Sequence, residues 1–346
     1  MSNSNIKQAI AKLIDHHDLT IEEMRTAVKI IMSDQATAAQ IAGFLIALRM
    51  KGETVDEITA AAQVMRELCQ PVAIHDPNLI DIVGTGGDQA NTFNISTTSA
   101  IVAAAAGCKV AKHGNRSLSS QSGSADLLSA AGVELDLTPA QIIQCIDKIG
   151  IGFMFAPHHH PAMRYAGAPR KELGVRTLFN LLGPLTNPAN VKQQIFGVYD
   201  KKWLLPMAKV MQQLDCKHVM VIHSQDGLDE ISIADKTFIT ELKQSKIKQY
   251  EVTPEQFNLP RAKLNDIKVN SPQESLKRMQ NVLDNTPGGT RDIVILNAGA
   301  AIYVAGMTET LNEGIQCAAQ TIASGAAKEK LQQFITLTKD LKNHAN

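Results

Sequence analysis

The chain has 346 residues, and its 34 lysines and arginines balance 34 aspartates and glutamates, so the formal net charge is zero. Apolar residues make up 44% and aromatic residues 4% of the sequence, a globular composition that excludes a disordered or fibrous protein. Because the chain has no basic excess and few aromatic residues, nucleic acid or a membrane surface is not expected as a general partner.

The N-terminal segment MSNSNIKQ lacks a basic stretch followed by an apolar run, so we expect no signal peptide. No stretch reaches the ~18 uninterrupted apolar residues of a membrane-spanning helix. The cysteines are scattered and form no Cys-x-x-Cys pair: Cys69, Cys108, Cys145, Cys216 and Cys317. We therefore expect reduced thiols in a cytoplasmic protein, with neither a zinc site nor a disulfide framework.

Residues 1–70 show only helical periodicity and are predicted to form a small all-helical domain. Three helix starts have a Thr followed three residues later by Glu or Gln, the pattern of a capping box: Thr20 with Glu23, Thr37 with Gln40, and Thr54 with Glu57. Nothing in this segment indicates catalysis. Its predicted role is to pack against another copy or against the rest of the chain.

From about Pro71 short apolar strands alternate with helices. The predicted strands are Leu79–Val83, Cys108–Ala111, Gln194–Val198, His218–Ile222 and Asp292–Leu296. The predicted helices include Ser96–Gly107, Ala125–Ala131 and helices with Pro at the first position after Thr138, Thr253 and Ser271. This alternation predicts a larger α/β domain over residues 71–346, with a mainly parallel central sheet.

A glycine-rich turn, Gly84-Thr85-Gly86-Gly87-Asp88, follows the first predicted strand. Its N–H groups can approach a ligand closely, and the hydroxyl-rich segment Asn94–Ser99 then opens a helix whose N-terminus favours an anion. The pattern indicates phosphate binding. It matches neither a P-loop nor G-x-G-x-x-G, because Gln89 stands where the third Gly belongs. Taken alone, it is also compatible with an ordinary turn and N-cap.

Three other segments carry candidate chemistry. Lys112–Ser124 reads as a polar loop with two cations, a His and five hydroxyls, suited to a second anion. The pair Asp229-Glu230 suits Mg²⁺ if it is more than a solvated turn. The run His158–His160 lacks the further ligands of a metal site, whereas the arginines of residues 164–176 could bind a carboxylate.

Together these segments resemble the anthranilate phosphoribosyltransferases along essentially the whole chain. The motifs are DIVGTGGD (81–88), FNIST (93–97), KHGNR with the following SS and SGSAD (112–126), FAPHHHPAM (155–163), RTLFNLLGPL (176–185), NPA (187–189) and DGLDE (226–230). One departure is Ala168-Pro169-Arg170, where the family usually has a Val within Pro-Val-Arg. The Arg itself is kept.

The resemblance implies a nucleoside phosphorylase/phosphoribosyltransferase-like fold, with a helical excursion near residues 171–183 packing on the N-terminal domain. It also implies a homodimer through that domain and an active site at the hinge. The implied reaction belongs to tryptophan biosynthesis. It transfers phosphoribosyl from 5-phosphoribosyl 1-diphosphate (PRPP) to the amine of anthranilate. The implied cofactor is Mg²⁺, with two ions per subunit.

The resemblance assigns substrate and metal contacts but no acid, base or nucleophile. For PRPP the implied residues are Gly84, Gly87, Asp88, Thr92, Asn94, Ile95, Ser96, Thr97, Lys112, His113, Gly114, Asn115, Arg116, Ser117, Leu118, Ser119, Ser120 and Ser124. For anthranilate they are Gly84, Asn115 and Arg170, and for Mg²⁺ they are Ser96, Asp229 and Glu230.

Two alternatives compete with this interpretation. A pyrimidine-nucleoside phosphorylase shares the architecture and a glycine-rich phosphate turn, but inorganic phosphate does not need the Asn94–Thr97 and Asp229-Glu230 segments. A non-catalytic, nucleic-acid-binding relative is expected to show a basic groove and degraded acidic and glycine motifs. The neutral charge and the intact motifs disfavour it.

Overall fold

The computed structural model describes residues 2–74, 76–87, 90–117 and 121–343. Its N-terminal segment is helical: α1 (Ser2–Ile14), α2 (Ile21–Met32), α3 (Ala38–Lys51) and α4 (Val55–Leu68). The three predicted capping boxes are confirmed, with each Thr hydroxyl accepting from the N–H three residues later. The sequence locates these helix starts because the capping bonds are local.

Seven strands in the described part of the chain form one sheet: β1 (Leu79–Gly84), β2 (Lys109–Gly114), β3 (Ile151–Phe155), β4 (Gln193–Gly197), β5 (His218–Ser224), β6 (Thr237–Lys243) and β7 (Lys246–Val252). The strand order is β3-β2-β1-β4-β5-β6-β7. The first five strands in this order are parallel, and β6 and β7 pair antiparallel at one edge. The prediction of a mainly parallel sheet is confirmed.

Helices cover both faces of the sheet: α5 (Ile95–Ala105), α6 (Ser124–Ala131), α7 (Pro139–Ile149), α8 (Ala156–His159), α9 (Arg164–Leu173), α10 (Leu178–Leu182), α11 (Leu204–Gln213), α12 (Pro272–Leu283), α13 (Gly289–Val304), α14 (Leu311–Ala323) and α15 (Ala326–Asn343). None of the helices in the described ranges combines the length and apolarity that crossing a bilayer requires.

Two sequence predictions are wrong at the level of elements. The segment Asp292–Leu296 lies inside α13 rather than in a strand, because a helix buried on all sides reads as an apolar run. Lys112 and His113 belong to β2, so the polar loop begins after Gly114 rather than at Lys112. The sequence reading also missed β3 and the β6–β7 hairpin, and Thr253 precedes only a short 3₁₀ turn.

The N-terminal helices do not have a core of their own. Buried residues of α1–α4 pack in one cluster with Leu178 and Leu182 of α10, Met207 of α11 and Phe196 of β4. A second large cluster lies around α5 and α13 on β1 and β2, and includes Ile82. The N-terminal helices therefore share a continuous core with the sheet.

Candidate active site

The glycine turn lies at the switch point of the sheet, where the strand order reverses between β1 and β4. Gly84 at the end of β1 is in register with Gly197 at the end of β4. Gly86 and Gly87 have φ angles of +67° and +81°, a region that favours glycine. The N–H of Thr85 donates to the Gly197 carbonyl at 2.9 Å. Because ligands of such sheets bind at the switch point, the turn is a candidate ligand site.

The Asp229 segment crosses over the ends of β1 and β4. Its Oδ2 accepts from the N–H of Gly86 at 2.9 Å. A Cβ on Gly84 would overlap that oxygen, and a Cβ on Gly197 would overlap the Asp229 carbonyl oxygen. Both glycines are therefore required for the close approach. Sequence reasoning missed Gly197, whose only signal was a glycine near the end of a predicted strand.

Asp229 brings a carboxylate to a turn whose N–H groups suit phosphate oxygens. Two neighbouring anions repel each other unless a cation lies between them. One or two carboxylates together with substrate phosphates form the usual Mg²⁺ site, so Asp229 and Glu230 fit this ion. Among the described residues, no group of three or more His, Cys, Asp or Glu side chains offers an all-protein metal site instead.

Asn94, which the resemblance assigned to the diphosphate, uses its side chain within the protein. Its Oδ1 accepts from the hydroxyls of Ser122 and Ser275, both at 2.7 Å. Its Nδ2 donates to the Ser122 carbonyl at 2.9 Å. Asn94 therefore joins the start of α5 to the second polar loop and to α12, a role that short-range sequence patterns do not show.

The first turn of α5 follows Asn94. Ile95 is buried in the core, and its N–H donates to the carbonyl two residues earlier. Thr97 is 1% exposed, and its hydroxyl has no hydrogen-bond partner among the described residues. Thr92, just upstream, pairs with Lys268 in an isolated bridge. Ser96 is half-buried at this helix start, where free N–H groups favour an anion, whereas the Thr97 hydroxyl lies in the interior.

Lys112 is a buried cation in β2 and not part of the polar loop in which the sequence placed it. It is 2% exposed, and its Nζ donates to the Ile82 carbonyl at 2.6 Å. Burial lowers its pKa, an effect that the charges of Asp81 and Glu230 oppose. Lys112 can therefore act on an anionic ligand through its electrostatic field.

The histidines of the site lie in different surroundings. Burial moves the pKa of His113 well below its usual value, and burial lowers the pKa of His160 to about 4. The rings of this pair lie 5.2 Å apart. His159 instead faces the Gln70 carbonyl at 2.9 Å, and His158 is exposed. The three consecutive histidines thus point to different surroundings.

Asp126 holds the described part of the second loop. Its Oδ1 accepts from Arg116 Nη1, and its Oδ2 accepts from the N–H groups of Ser117 and Gly123, all at 3.0 Å. One carboxylate at the start of α6 therefore joins both sides of the loop. The sequence reading included Asp126 in a motif but gave it no role.

The remaining predicted residues of this loop lie close to its base. The Ser124 hydroxyl donates to the Asn115 carbonyl at 3.2 Å. A Cβ on Gly114 would overlap the Ser124 hydroxyl, so glycine is required for this approach. Four predicted PRPP residues lie outside the described residues: Asp88, Leu118, Ser119 and Ser120.

Arg170, the predicted anthranilate residue, lies in α9 with its guanidinium 5.3 Å from the centre of the Phe179 ring. Burial lowers its pKa, and in the described ranges no hydrogen bond or ion pair engages the guanidinium. Arg164 of the same helix is exposed and stacks on Tyr165 instead. A half-buried guanidinium on an aromatic face is suited to bind a carboxylate in two contacts.

Arg176 is a site residue that sequence reasoning named only as part of the arginine cluster of residues 164–176, which could bind a carboxylate. Its Nη2 donates to the Gly87 carbonyl, and its guanidinium lies 4.2 Å from the centre of the Tyr199 ring. Its own carbonyl accepts from Nη1 of Arg49 at 2.5 Å. Neither that cluster nor its place in the RTLFNLLGPL motif pointed to the glycine turn.

Two family profiles match the chain. Residues 7–69 match the "Glycosyl transferase family, helical bundle domain", and residues 76–328 match the "Glycosyl transferase family, a/b domain". The anthranilate phosphoribosyltransferase of Hydrogenovibrio crunogenus is 54% identical over 334 residues, which cover 96% of this chain and 98% of that protein.

Solved structures show the same likeness. The anthranilate phosphoribosyltransferase of Thermus thermophilus superimposes with a TM-score of 0.91 and 41% identity, covering 96% of this chain and 99% of that one. The Saccharomyces cerevisiae enzyme in complex with PRPP and Mg has a TM-score of 0.90 and 28% identity, with coverages of 97% and 98%. The same yeast enzyme with 4-fluoroanthranilate has a TM-score of 0.88 and 27% identity, with the same coverages. The chain belongs to the anthranilate phosphoribosyltransferase family.

Proposed function

We propose that the chain transfers the phosphoribosyl group of PRPP to the amine of anthranilate, in tryptophan biosynthesis, with Mg²⁺ as cofactor. The products are N-(5-phosphoribosyl)anthranilate and diphosphate. Family membership supports this reaction, as do the ligands bound in the yeast structures. The proposed PRPP, anthranilate and metal contacts are those assigned by the resemblance.

The observation that carries the proposal is the hydrogen bond from Gly86 N–H to Asp229 Oδ2 at 2.9 Å. It places a carboxylate on a turn that is otherwise suited to phosphate. A divalent cation resolves this conflict, and a diphosphate gives it further oxygens to bind. Inorganic phosphate alone does not call for such a carboxylate, which disfavours the phosphorylase alternative.

The reaction breaks the bond between ribose C1 and the diphosphate oxygen and forms a bond from C1 to the anthranilate nitrogen, which loses a proton. Bound Mg²⁺ supplies positive charge to the leaving diphosphate. The chain adds the start of α5 and the buried charge of Lys112 below the turn. Holding both substrates in line lowers the barrier further. No covalent intermediate with the protein is needed.

Arg170 is proposed to bind the anthranilate carboxylate. Arg170→Ala should therefore raise KM for anthranilate by tenfold or more, because a hydrogen bond to a charged group contributes about 1.5–3 kcal/mol. KM for PRPP should change much less. Arg164→Ala, which removes an exposed guanidinium from the same helix, is the matched control. Equal increases in both KM values for Arg170→Ala would contradict the assignment.

One assay separates transferase from phosphorylase. The protein is mixed with Mg²⁺, anthranilate and PRPP, and the loss of anthranilate fluorescence is followed; a parallel sample contains thymidine and inorganic phosphate. We expect fluorescence loss in the first sample and no phosphorolysis in the second. Phosphorolysis without fluorescence loss would select the alternative.

We further propose the quaternary and cellular features implied by the resemblance. The helical domain of residues 1–70 is proposed to form a homodimer, in a cytoplasmic protein whose α/β domain spans residues 71–346 and holds two Mg²⁺ ions. In support of the dimer, four large apolar side chains of this domain are exposed by 42–75%: Ile14, Ile21, Met50 and Leu68. Sedimentation velocity tests the dimer, and Mg²⁺ titration calorimetry with PRPP present tests the ion count.

A further inference from the structure

We infer that Arg176 is a positioning residue, which sets the glycine turn for the diphosphate and ties that turn to the N-terminal helices. The inference rests on the proposed function and adds to it a residue that the resemblance left without a role. Arg176 lies between α9 and α10, beside the turn but on a different segment of the chain.

Contacts on one side fix the turn. Nη2 of Arg176 donates to the Gly87 carbonyl, and an ideal Cβ on Gly87 lies 3.3 Å from Arg176 Nε. The guanidinium thus lies directly beside the glycine. A carbonyl oxygen that points toward a diphosphate repels the diphosphate. The hydrogen bond to Arg176 directs the Gly87 carbonyl toward the guanidinium instead. The guanidinium also places a positive charge next to the turn.

The guanidinium is itself held in place. It lies 4.2 Å from the centre of the Tyr199 ring. The N–H of Tyr199 donates to the Thr85 hydroxyl at 3.1 Å, and its hydroxyl accepts from Trp203 Nε1 at 3.1 Å. Tyr199 therefore supports Arg176 and also contacts the same glycine turn. The planar guanidinium of Arg176 is oriented by its contact with the Tyr199 ring, and a lysine ammonium cannot make the same oriented contact.

The main chain of Arg176 connects the turn to the N-terminal helices. Nη1 of Arg49, near the end of α3, donates to the Arg176 carbonyl at 2.5 Å. Arg170 lies six residues upstream of Arg176 on α9. One short segment thus carries the proposed anthranilate residue and the residue that positions the diphosphate turn, and α3 holds it. A shift of these helices is expected to alter PRPP binding through Arg176.

The test measures both KM values and the Tm increase on adding PRPP with Mg²⁺, in wild type, Arg176→Ala, Arg176→Lys and Arg49→Ala. Because it removes a charged donor that holds the turn, Arg176→Ala should raise KM for PRPP by about tenfold or more. KM for anthranilate should change less than about threefold, and the PRPP-induced Tm increase should shrink. Arg176→Lys keeps the charge and should recover part of the loss.

Arg49→Ala should raise KM for PRPP by about threefold, since it removes one exposed hydrogen bond. In the Arg176→Ala background the same change should add little, because its effect passes through the missing guanidinium. Arg164→Ala is again the matched control.

Three outcomes would overturn the inference: an unchanged KM for PRPP in Arg176→Ala, equal increases in both KM values together with a lower Tm, or additive effects of the two arginines. An inactive wild type would instead count against the proposed function. In that event the PRPP-induced Tm increase still reports whether Arg176 sets the turn.

Discussion

The two polar segments at the carboxyl ends of β1 and β2 differ in how they are held. The β1 turn, residues 84–87, is fixed by residues far away in the chain: Asp229 is 143 positions and Arg176 is 89 positions from its partner. The described part of the β2 loop has a local support, Asp126, at most ten positions from its partners, and a distant one, Asn94, which is 28 positions from Ser122. Both segments are candidates for the same substrate.

This difference indicates a division of tasks. The conformation of a turn that is held by several distant segments depends on the position of each of those segments. The β2 loop combines the local support of Asp126 with the single distant support of Asn94. Substitutions around the β1 turn should therefore affect catalysis and stability together, whereas those at the local support of the β2 loop should affect PRPP binding alone.

The largest effect is expected from removing the acids at the β1 turn. Asp229→Asn combined with Glu230→Gln should lower kcat by about a hundredfold, as for loss of other electrostatic stabilisers, and raise the Mg²⁺ midpoint. Mg²⁺ titration of the initial rate measures both. Asp235→Asn combined with Glu255→Gln removes two exposed carboxylates paired with Arg261 and should leave the titration unchanged. An unaltered Mg²⁺ midpoint in the variant that lacks Asp229 and Glu230 would mean that these acids do not bind the metal and only form a turn.

Gly197→Ala should damage stability and activity together. Its Cβ would overlap the Asp229 carbonyl oxygen, and overpacking of this kind typically costs about 1–3 kcal/mol. We expect a lower Tm and a fall in kcat of tenfold or more, because Asp229 must move. Gly167→Ala in α9, whose Cβ meets nothing within 4 Å, is the control. Near-normal activity with a normal Tm would show that the β1 turn tolerates displacement of its distant support.

Asp126→Asn tests the local support of the β2 loop. Asparagine keeps the shape but loses the charge that strengthens three hydrogen bonds, so KM for PRPP should rise by about three- to tenfold. Tm and KM for anthranilate should stay close to wild type. Asp136→Asn, at an exposed pair with Lys342, should have no effect on either KM. A large fall in Tm for Asp126→Asn would remove the contrast between the two segments.

The prediction that concerns stability alone involves Asp81, which joins β1 to β2 and to Asn187. Its carboxylate accepts from Asn187 Nδ2 at 2.8 Å and from the His113 N–H at 3.2 Å. Burial raises its pKa from 3.8 to about 6. The folded state thus binds this proton more tightly than the unfolded state between about pH 4 and 6, so the contribution to stability falls as pH rises through that window.

Asp81→Asn lacks this titration. The unfolding free energy of wild type minus that of the variant should fall by on the order of 2–3 kcal/mol between pH 4 and pH 6.5. Urea unfolding at several pH values measures it. The depressed pKa values of His113 and His160 act in the opposite direction in both proteins and cancel in the difference. A flat difference would mean that Asp81 stays ionised in the fold.

The sequence predicts features that depend on contacts between residues close together in the chain, and it misses features that depend on distant residues. Thr20, Thr37 and Thr54 mark helix starts correctly because a capping box closes within four residues. The glycine turn could be identified for a similar reason. Lys112 was misplaced in a loop because a buried lysine depends on the Ile82 carbonyl and the charge of Asp81, which only the paired strands bring near.

Residues that support the site from a distance left almost no trace in the sequence. Gly197 matters because Asp229 passes over it, and Arg176 matters because Gly87 and Tyr199 lie beside it. Neither relation has a periodicity or a fixed spacing. The family resemblance identifies the residues that are expected to touch the substrates. The residues that support these contacts from a distance are brought near them only by the fold.

The β1 turn and Asp229 are proposed to bind the diphosphate of PRPP together with Mg²⁺. Isothermal titration of PRPP into wild type and into Asp229→Asn combined with Glu230→Gln, each with Mg²⁺ and with the metal removed by chelation, tests this claim most directly. We predict strong binding only for wild type with Mg²⁺, and weak binding in the other three samples. Equal PRPP affinity in all four samples would contradict the claim.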